Sequence, residues 1–320
     1  MPRRVLKGVG LATLAALVAV VVLAAIPVGT SGLVQSRPAP LATPEAARQA
    51  IDRIVASEAG VRSDCHSRVI EPPKPPERVI VLFHGLNACP RQFARLGEQL
   101  AAKGYAVYIP LLPMHGLAGA DASALADMAA GDLRRLAERS VDIAHGLAPH
   151  VWVMGASAGG VVAAWIGQVR GDVDGAVAIA PALGLADVPS FVTSGATNLL
   201  SRIPNVPLPF GTSLPWTYSG TSTHAVAETF RFGQAVRELA RAEKPAARVL
   251  AVVFNEADGT ISNDLAAELA ATWEAHGAVV ERASLPATLH LPHDLVDPDQ
   301  PRGDPAVVYP KLIELVSGGP

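Results

Sequence analysis

The first 44 residues contain no Asp or Glu; the first acidic residue is Glu45. Only two cysteines occur, Cys65 and Cys89, which excludes a disulfide-dense scaffold. Neither lies at the end of the N-terminal apolar run, so a lipid-modified N-terminus is not expected. Nowhere do Cys, His and carboxylates cluster with zinc spacing; His290 and His293 stand three apart without a third partner. No metal and no cofactor are therefore expected. Removing the three positive charges of Arg3, Arg4 and Lys7 from the formal charge of −3 leaves −6. No basic patch remains to hold nucleic acid.

What is present begins with an export-type segment. Arg3, Arg4 and Lys7 precede Val9–Val28, an almost wholly apolar stretch of 20 residues. A basic start followed by an apolar run is a signal peptide pattern. Twenty residues are also enough to span a bilayer as an uncleaved signal anchor. The expectation is residues 1–29 as signal peptide or signal-anchor transmembrane helix, and a protein exported across the cytoplasmic membrane, either secreted or membrane-anchored. Residues 30–43, rich in Gly, Ser and Pro, read as a linker. Residues 44–77 read as an N-terminal helix and a proline-rich spacer, in which Thr43-Pro44-Glu45 supplies N-cap, first-turn proline and acid. The remaining 78–320 suit one large domain, and half of the sequence is hydrophobic, enough for a substantial core.

Within that domain strands alternate with helices. Strands are expected at 78–83, 105–112, 151–154, 175–180, 248–254 and 279–285. Helices are expected at 92–103, 121–145, 161–169, 224–242, 264–276 and 306–316. Each strand reads as continuously apolar, which implies an α/β architecture whose mostly parallel sheet is covered on both faces. Ligands bind beyond the carboxyl ends of such strands. Residues 182–222 break the alternation. They are rich in Pro, Gly, Ser and Thr, interleaved with Phe191, Leu200, Phe210, Trp216 and Tyr218. An irregular stretch of this length in a compact domain is usually functional, and about 182–242 reads as a cap over the site.

The chemistry centres on Gly155-Ala156-Ser157-Ala158-Gly159, between an apolar strand and a helix. This is the G-x-S-x-G pattern of a nucleophile elbow. The turn is so tight that Cβ atoms at Gly155 or Gly159 would collide with neighbouring backbone. A serine hydroxyl needs a base, and the base an orienting carboxylate. The chain offers both in the order Ser, acid, His. Asp258, in the loop after the strand 248–254, is the preferred acid, with Glu256 and Asp264 as alternatives. His293 is the preferred base, with His290 as the alternative. Acyl transfer also needs two preorganised donors for the oxyanion. The Ala158 N–H is one, and the Leu86 N–H, after His84-Gly85, is the other. His84 and His115 read as loop structure. Export would permit a disulfide between Cys65 and Cys89, worth roughly 3 kcal/mol for a loop of this size.

Together these residues resemble the α/β-hydrolase superfamily over about residues 78–316. The strand and loop Phe83-His84-Gly85, followed by Pro113-Met114-His115-Gly116, look most like its monoacylglycerol lipases and carboxylesterases. The resemblance implies a mostly parallel sheet with a cap inserted after the sixth strand, Ser157 as nucleophile, Asp258 as acid and His293 as base. Met114 departs from the pattern, since glycine is commoner there. The expected activity is hydrolysis of a small ester or lipid-like substrate with a lipophilic group, through an acyl-enzyme. Amide or peptide hydrolysis, acyl transfer, and a non-catalytic binding domain are the alternatives. Dehalogenase and epoxide hydrolase chemistry would require a carboxylate at position 157.

Overall fold

The computed structural model describes residues 3–209 and 214–318, with side chains from Thr13 onward. Phe210, counted above among the cap's apolar residues, lies outside the described residues, as do the side chains of Arg3, Arg4 and Lys7.

The centre is a seven-stranded sheet. Its strands are β1 (Arg68–Ile70), β2 (Arg78–Phe83), β3 (Ala106–Ile109), β4 (His150–Ala156), β5 (Gly175–Ile179), β8 (Val249–Asn255) and β9 (Val280–Leu285). A two-stranded ribbon supplies β6 (Pro207–Leu208) and β7 (Thr221–Ser222). The order in the main sheet is β1-β3-β2-β4-β5-β8-β9. All neighbours are parallel except β1, which runs antiparallel to β3. In β4 and β5 every residue but His150 is buried. Successive side chains point to opposite faces, so both faces of the central strands are covered. The edge strand β9 is different: Glu281, Arg282 and Ser284 face solvent, Val280 and Ala283 are half-buried, and Leu285 alone of its six residues is buried. The expectation of a continuously apolar strand fails there because an edge needs no second cover.

The helices are α1 (Arg3–Ala25), α2 (Pro44–Ser57), α3 (Ala94–Ala102), α4 (Ala130–Leu147), α5 (Ala158–Val169), α6 (Ser190–Leu200), α7 (Thr223–Ala242), α8 (Asn263–Ala275) and α9 (Pro305–Ser317). At α2 the Thr43 side chain accepts from the Ala46 N–H and Pro44 occupies the first turn. The helix expected over 121–145 is divided into a 3-10 segment, Ala122–Asp127, and α4. The break occurs because two carboxylates start α4 afresh: Asp132 accepts from the Ala129 N–H and Glu228 from the Ala130 N–H.

Two N-terminal expectations change. Among the described residues no helix is long and apolar enough to cross a membrane. The expected linker at 30–43 is packed rather than loose. Leu33 is buried, and its carbonyl accepts from the Trp165 indole. The Leu41 N–H donates to the Asp142 carbonyl, and the Arg37 N–H to the Glu138 carboxylate.

The insertion between β5 and β8 is ordered into α6, the β6–β7 ribbon and α7. It follows the fifth strand in chain order rather than the sixth, because only β1 precedes β2 in this sheet. The chain moves from β2 outward to β3 and then crosses back to β4. The carboxyl ends of β2 and β4 thus flank the point where strand order reverses, the expected ligand position in such a sheet.

Candidate active site

Ser157 sits between the end of β4 and the start of α5 with φ 55° and ψ −114°. That backbone is costly for a residue with a Cβ, and such strain collects at functional sites. It is held by a hydrogen bond from the Ser157 N–H to the Ile179 carbonyl and one from the Ala182 N–H to the Ser157 carbonyl. The flanking glycines leave no room. A Cβ at Gly155 would lie 2.0 Å from the Gly159 carbonyl oxygen, and one at Gly159 would lie 2.0 Å from that of Phe83. α5 begins at Ala158, so its N-terminal dipole points at the serine.

Three strands deliver the polar partners. His293 Nε2 lies 2.9 Å from Ser157 Oγ, and His293 Nδ1 lies 2.7 Å from Asp258 Oδ2. An ionised carboxylate can only accept, so the Nδ1–H donates to Asp258 and Nε2 accepts from the serine hydroxyl. The Asp258 side chain is fully buried, and its other oxygen accepts from the N–H groups of Thr260 and Ile261. The histidine loop is tied to β8 by Asn255, whose amide donates to the Pro292 carbonyl. The alternatives lie elsewhere. Glu256 is exposed and accepts from the Ala287 N–H. Asp264 is exposed in the first turn of α8. His290 is exposed with left-handed backbone, φ 47°.

Leu86 and Ala158 both stand beside the serine, and among the described residues neither backbone N–H has an acceptor. The loop carrying Leu86 is braced from several directions. Gln92 accepts from the Gly85 N–H. His84 is buried; its Nδ1–H donates to the Gly85 carbonyl, and its Nε2 accepts from the Leu112 N–H. Burial, followed by the neighbouring His115, holds the His84 pKa well below the usual histidine value, so this ring is neutral. His115 places Nδ1 against the Pro113 carbonyl and Nε2 against the Leu86 carbonyl. Its pKa is also lowered by burial, leaving a neutral ring one N–H for two acceptors. Cys65 and Cys89 are joined in a disulfide beneath this loop. Met114, the departure noted in the sequence, has φ 65°. That left-handed conformation is the reason a glycine suits the position.

The cap completes the site. A cavity of about 230 Å³ opens over Ser157 and His293, lined by Leu185, Leu200, Leu208, Val226, Phe230 and Ile261. Sequence reading places Trp216 and Tyr218 in the cap but misses the contacts by which they fasten it. Tyr218 donates its hydroxyl to the Met114 carbonyl and accepts from the Leu117 N–H. Its own N–H donates to the Asn87 carbonyl. Trp216 donates its indole N–H to Asp297. All are contacts across distant chain segments, and no local pattern announces them. Among the described residues no group of His, Cys, Asp and Glu could hold a metal ion.

A family model described as serine aminopeptidase, S33 (Hydrolase_4), matches residues 74–228, and the match takes in the elbow. Over those residues the chain is similar to the α/β-hydrolase superfamily. It is a serine hydrolase. The family match stops short of Asp258 and His293. Among solved structures, this hydrolase is similar to a metagenome-derived lipolytic enzyme described under LipS and LipT. Identity there is 18%, with 81% of this chain and 100% of the other covered and a TM-score of 0.60. It is also similar to a monoacylglycerol lipase of Paleococcus ferrophilus, at 20% identity, 79% and 98% coverage and a TM-score of 0.58. A third is a soluble variant of monoglyceride lipase from Saccharomyces cerevisiae, at 13% identity, 78% and 91% coverage and a TM-score of 0.59. At these identities the likeness is one of fold. No curated protein matches this hydrolase in sequence.

Proposed function

We propose that this hydrolase cleaves carboxylic esters that carry a lipophilic group, using Ser157, His293 and Asp258. The observation that carries the reading is the unbroken path from Ser157 Oγ through the His293 ring to buried Asp258, at the floor of an apolar cavity. Ser157 Oγ attacks the ester carbonyl while His293 Nε2 takes its proton. Asp258 holds the imidazole in the needed tautomer and stabilises the cation that forms. The carbonyl oxygen becomes an oxyanion between the N–H groups of Ala158 and Leu86. Collapse expels the alcohol, which leaves with the proton from His293. Water, deprotonated by the same histidine, then releases the acid and restores the serine. No cofactor enters these steps.

The apolar lining favours a lipophilic acyl or alcohol group over a charged one. The serine aminopeptidase description of the matching family favours a second reading, amide or peptide hydrolysis with the same groups. Export fits the basic and apolar N-terminus and the Cys65–Cys89 disulfide, which persists in oxidising compartments.

The test is labelling of the full chain by a fluorophosphonate, beside Ser157→Ala, His293→Ala and His290→Ala. Turnover of p-nitrophenyl esters of graded length and of amino-acid p-nitroanilides is measured in parallel. The expected result is labelling that is lost in Ser157→Ala and His293→Ala and kept in His290→Ala, with esters the better substrates. A folded wild type that takes no label would make this a binding domain. Faster turnover of anilides would make it a peptidase.

A further inference from the structure

The end of α1 is built into the cap. The carbonyls of a helix's last turn lack partners within the helix. Here two of them are met by α6 and the turn that follows it: Asn198 Nδ2 donates to the Ala24 carbonyl at 2.8 Å, and Arg202 Nη1 to that of Leu23 at 3.3 Å. Asn198 is buried, 5% exposed, and its Oδ1 accepts from the Val28 N–H at 2.9 Å, so both ends of its amide serve the chain leaving α1. Arg202 Nη2 reaches the Pro27 carbonyl, Arg231 the Gly29 carbonyl, and Thr30 donates to Glu238 on α7. A cut within residues 24–28 would leave a buried amide without its partners.

The outer face of this assembly is apolar. Leu14, Leu17, Val18 and Val21, spaced to share one side of α1, are each more than half exposed. Phe191 at the start of α6 is 87% exposed, with Val192 beside it. A helix that is apolar all round is suited to a core or to hydrocarbon. At its other end α6 contributes Leu200 to the cavity over Ser157. The same short helix therefore joins the exposed apolar face to the candidate acyl pocket. The occupant of that face is set by charge: Arg3, Arg4 and Lys7 with no acid before Glu45 suit an anionic lipid surface.

We propose that α1 is retained in the mature chain as the outer helix of the cap, and that α1 and α6 together seat the cap on a lipid surface. This takes its setting from the export reading but not from the ester reading, because its readouts are mass and lipid binding rather than turnover. The experiment uses the full chain, produced with its own N-terminus. Intact mass is measured, and flotation is followed with vesicles of phosphatidylcholine and phosphatidylglycerol, beside Phe191→Asp and the double variant Asn198→Ala/Arg202→Ala. The expected result is an uncleaved chain that floats. Phe191→Asp, at an unchanged thermal midpoint, lowers partitioning about tenfold. The double variant frees α1 from the cap, and protease then cuts between residues 25 and 36. Cleavage of the wild type between residues 23 and 30 overturns retention. Flotation equal in wild type and Phe191→Asp overturns the seating of the cap. A dimer that fails to float gives the face to a second copy and overturns the lipid assignment.

Discussion

Trp216, in the cap, donates its indole N–H to Asp297 at 3.0 Å, four residues beyond His293. The Asp297 carboxylate is buried and also accepts from the Asp299 N–H. Burial, then the nearby charge of Asp294, pushes its pKa up to about 6 from an ordinary 3.8. One carboxyl thus links the cover of the site to the loop that carries the candidate base, and it does so at a cost when ionised.

The sign of that cost follows from linkage. A carboxyl raised on folding favours the folded state fully below about pH 4, and the advantage drains away as pH rises to about 6. The full swing is about 3 kcal/mol. Asp297→Asn keeps an acceptor for Trp216 and cannot ionise. Urea unfolding of wild type and variant at pH 4 and pH 7 should show the variant gaining about that amount on wild type at the higher pH. Equal pH slopes would place the burden on another group.

Two of the three candidate acids, Asp258 and Glu256, are separated by one amide substitution each. Asp258→Asn leaves the shape of the site intact but offers His293 Nδ1 the wrong partner, and the expected fall in kcat for ester hydrolysis is about 10⁴-fold. Glu256→Gln, exposed and bonded to the Ala287 N–H, should turn over as wild type. A large loss in Glu256→Gln with little in Asp258→Asn would reverse the assignment.

The elbow and the central strands were legible in sequence because their signals are local. Five consecutive small residues make the turn, and double burial makes β2, β4, β5 and β8 continuous apolar runs. Asp258 could be preferred over its neighbours only through its place after a strand; distance to His293 separates them in space. β1 escaped notice because three half-buried residues on an edge carry no period. α6 escaped because its residues answer to α1 on one side and to the cavity on the other, so no single apolar stripe marks it. Trp216–Asp297 and Tyr218–Met114 join segments 81 and 104 residues apart, and no local pattern encodes such pairs.

Gly159→Ala tests whether the tight turn is required for folding. The added methyl would meet the Phe83 and His84 carbonyl oxygens at 2.0 and 2.7 Å. Backbone of a central strand cannot yield, so the variant should lose more than about 3 kcal/mol of stability, or fail to accumulate as folded protein. Gly259→Ala, with nothing within 4 Å of its added Cβ, is the control and should melt as wild type. A stable, folded Gly159→Ala would contradict this packing at the elbow.

The disulfide is the remaining lever on the candidate oxyanion loop. Cys89 lies three residues beyond Leu86, and Cys65 anchors it to a segment whose Arg62 N–H donates to the Gly116 carbonyl. Arg62 also reaches the Trp216 carbonyl, and Arg91 stacks over the Trp216 ring at 4.0 Å. Replacing both cysteines by serine should lower stability by about 3 kcal/mol through the freed loop. The effect on catalysis discriminates further. An oxyanion donor acts on charge that exists only in the transition state, so a loosened Leu86 N–H lowers kcat by about tenfold or more with little change in KM. A rise in KM alone would mean that the bond shapes the cavity wall through Trp216 rather than the oxyanion loop. Unchanged kinetics in a destabilised protein would confine the disulfide to folding.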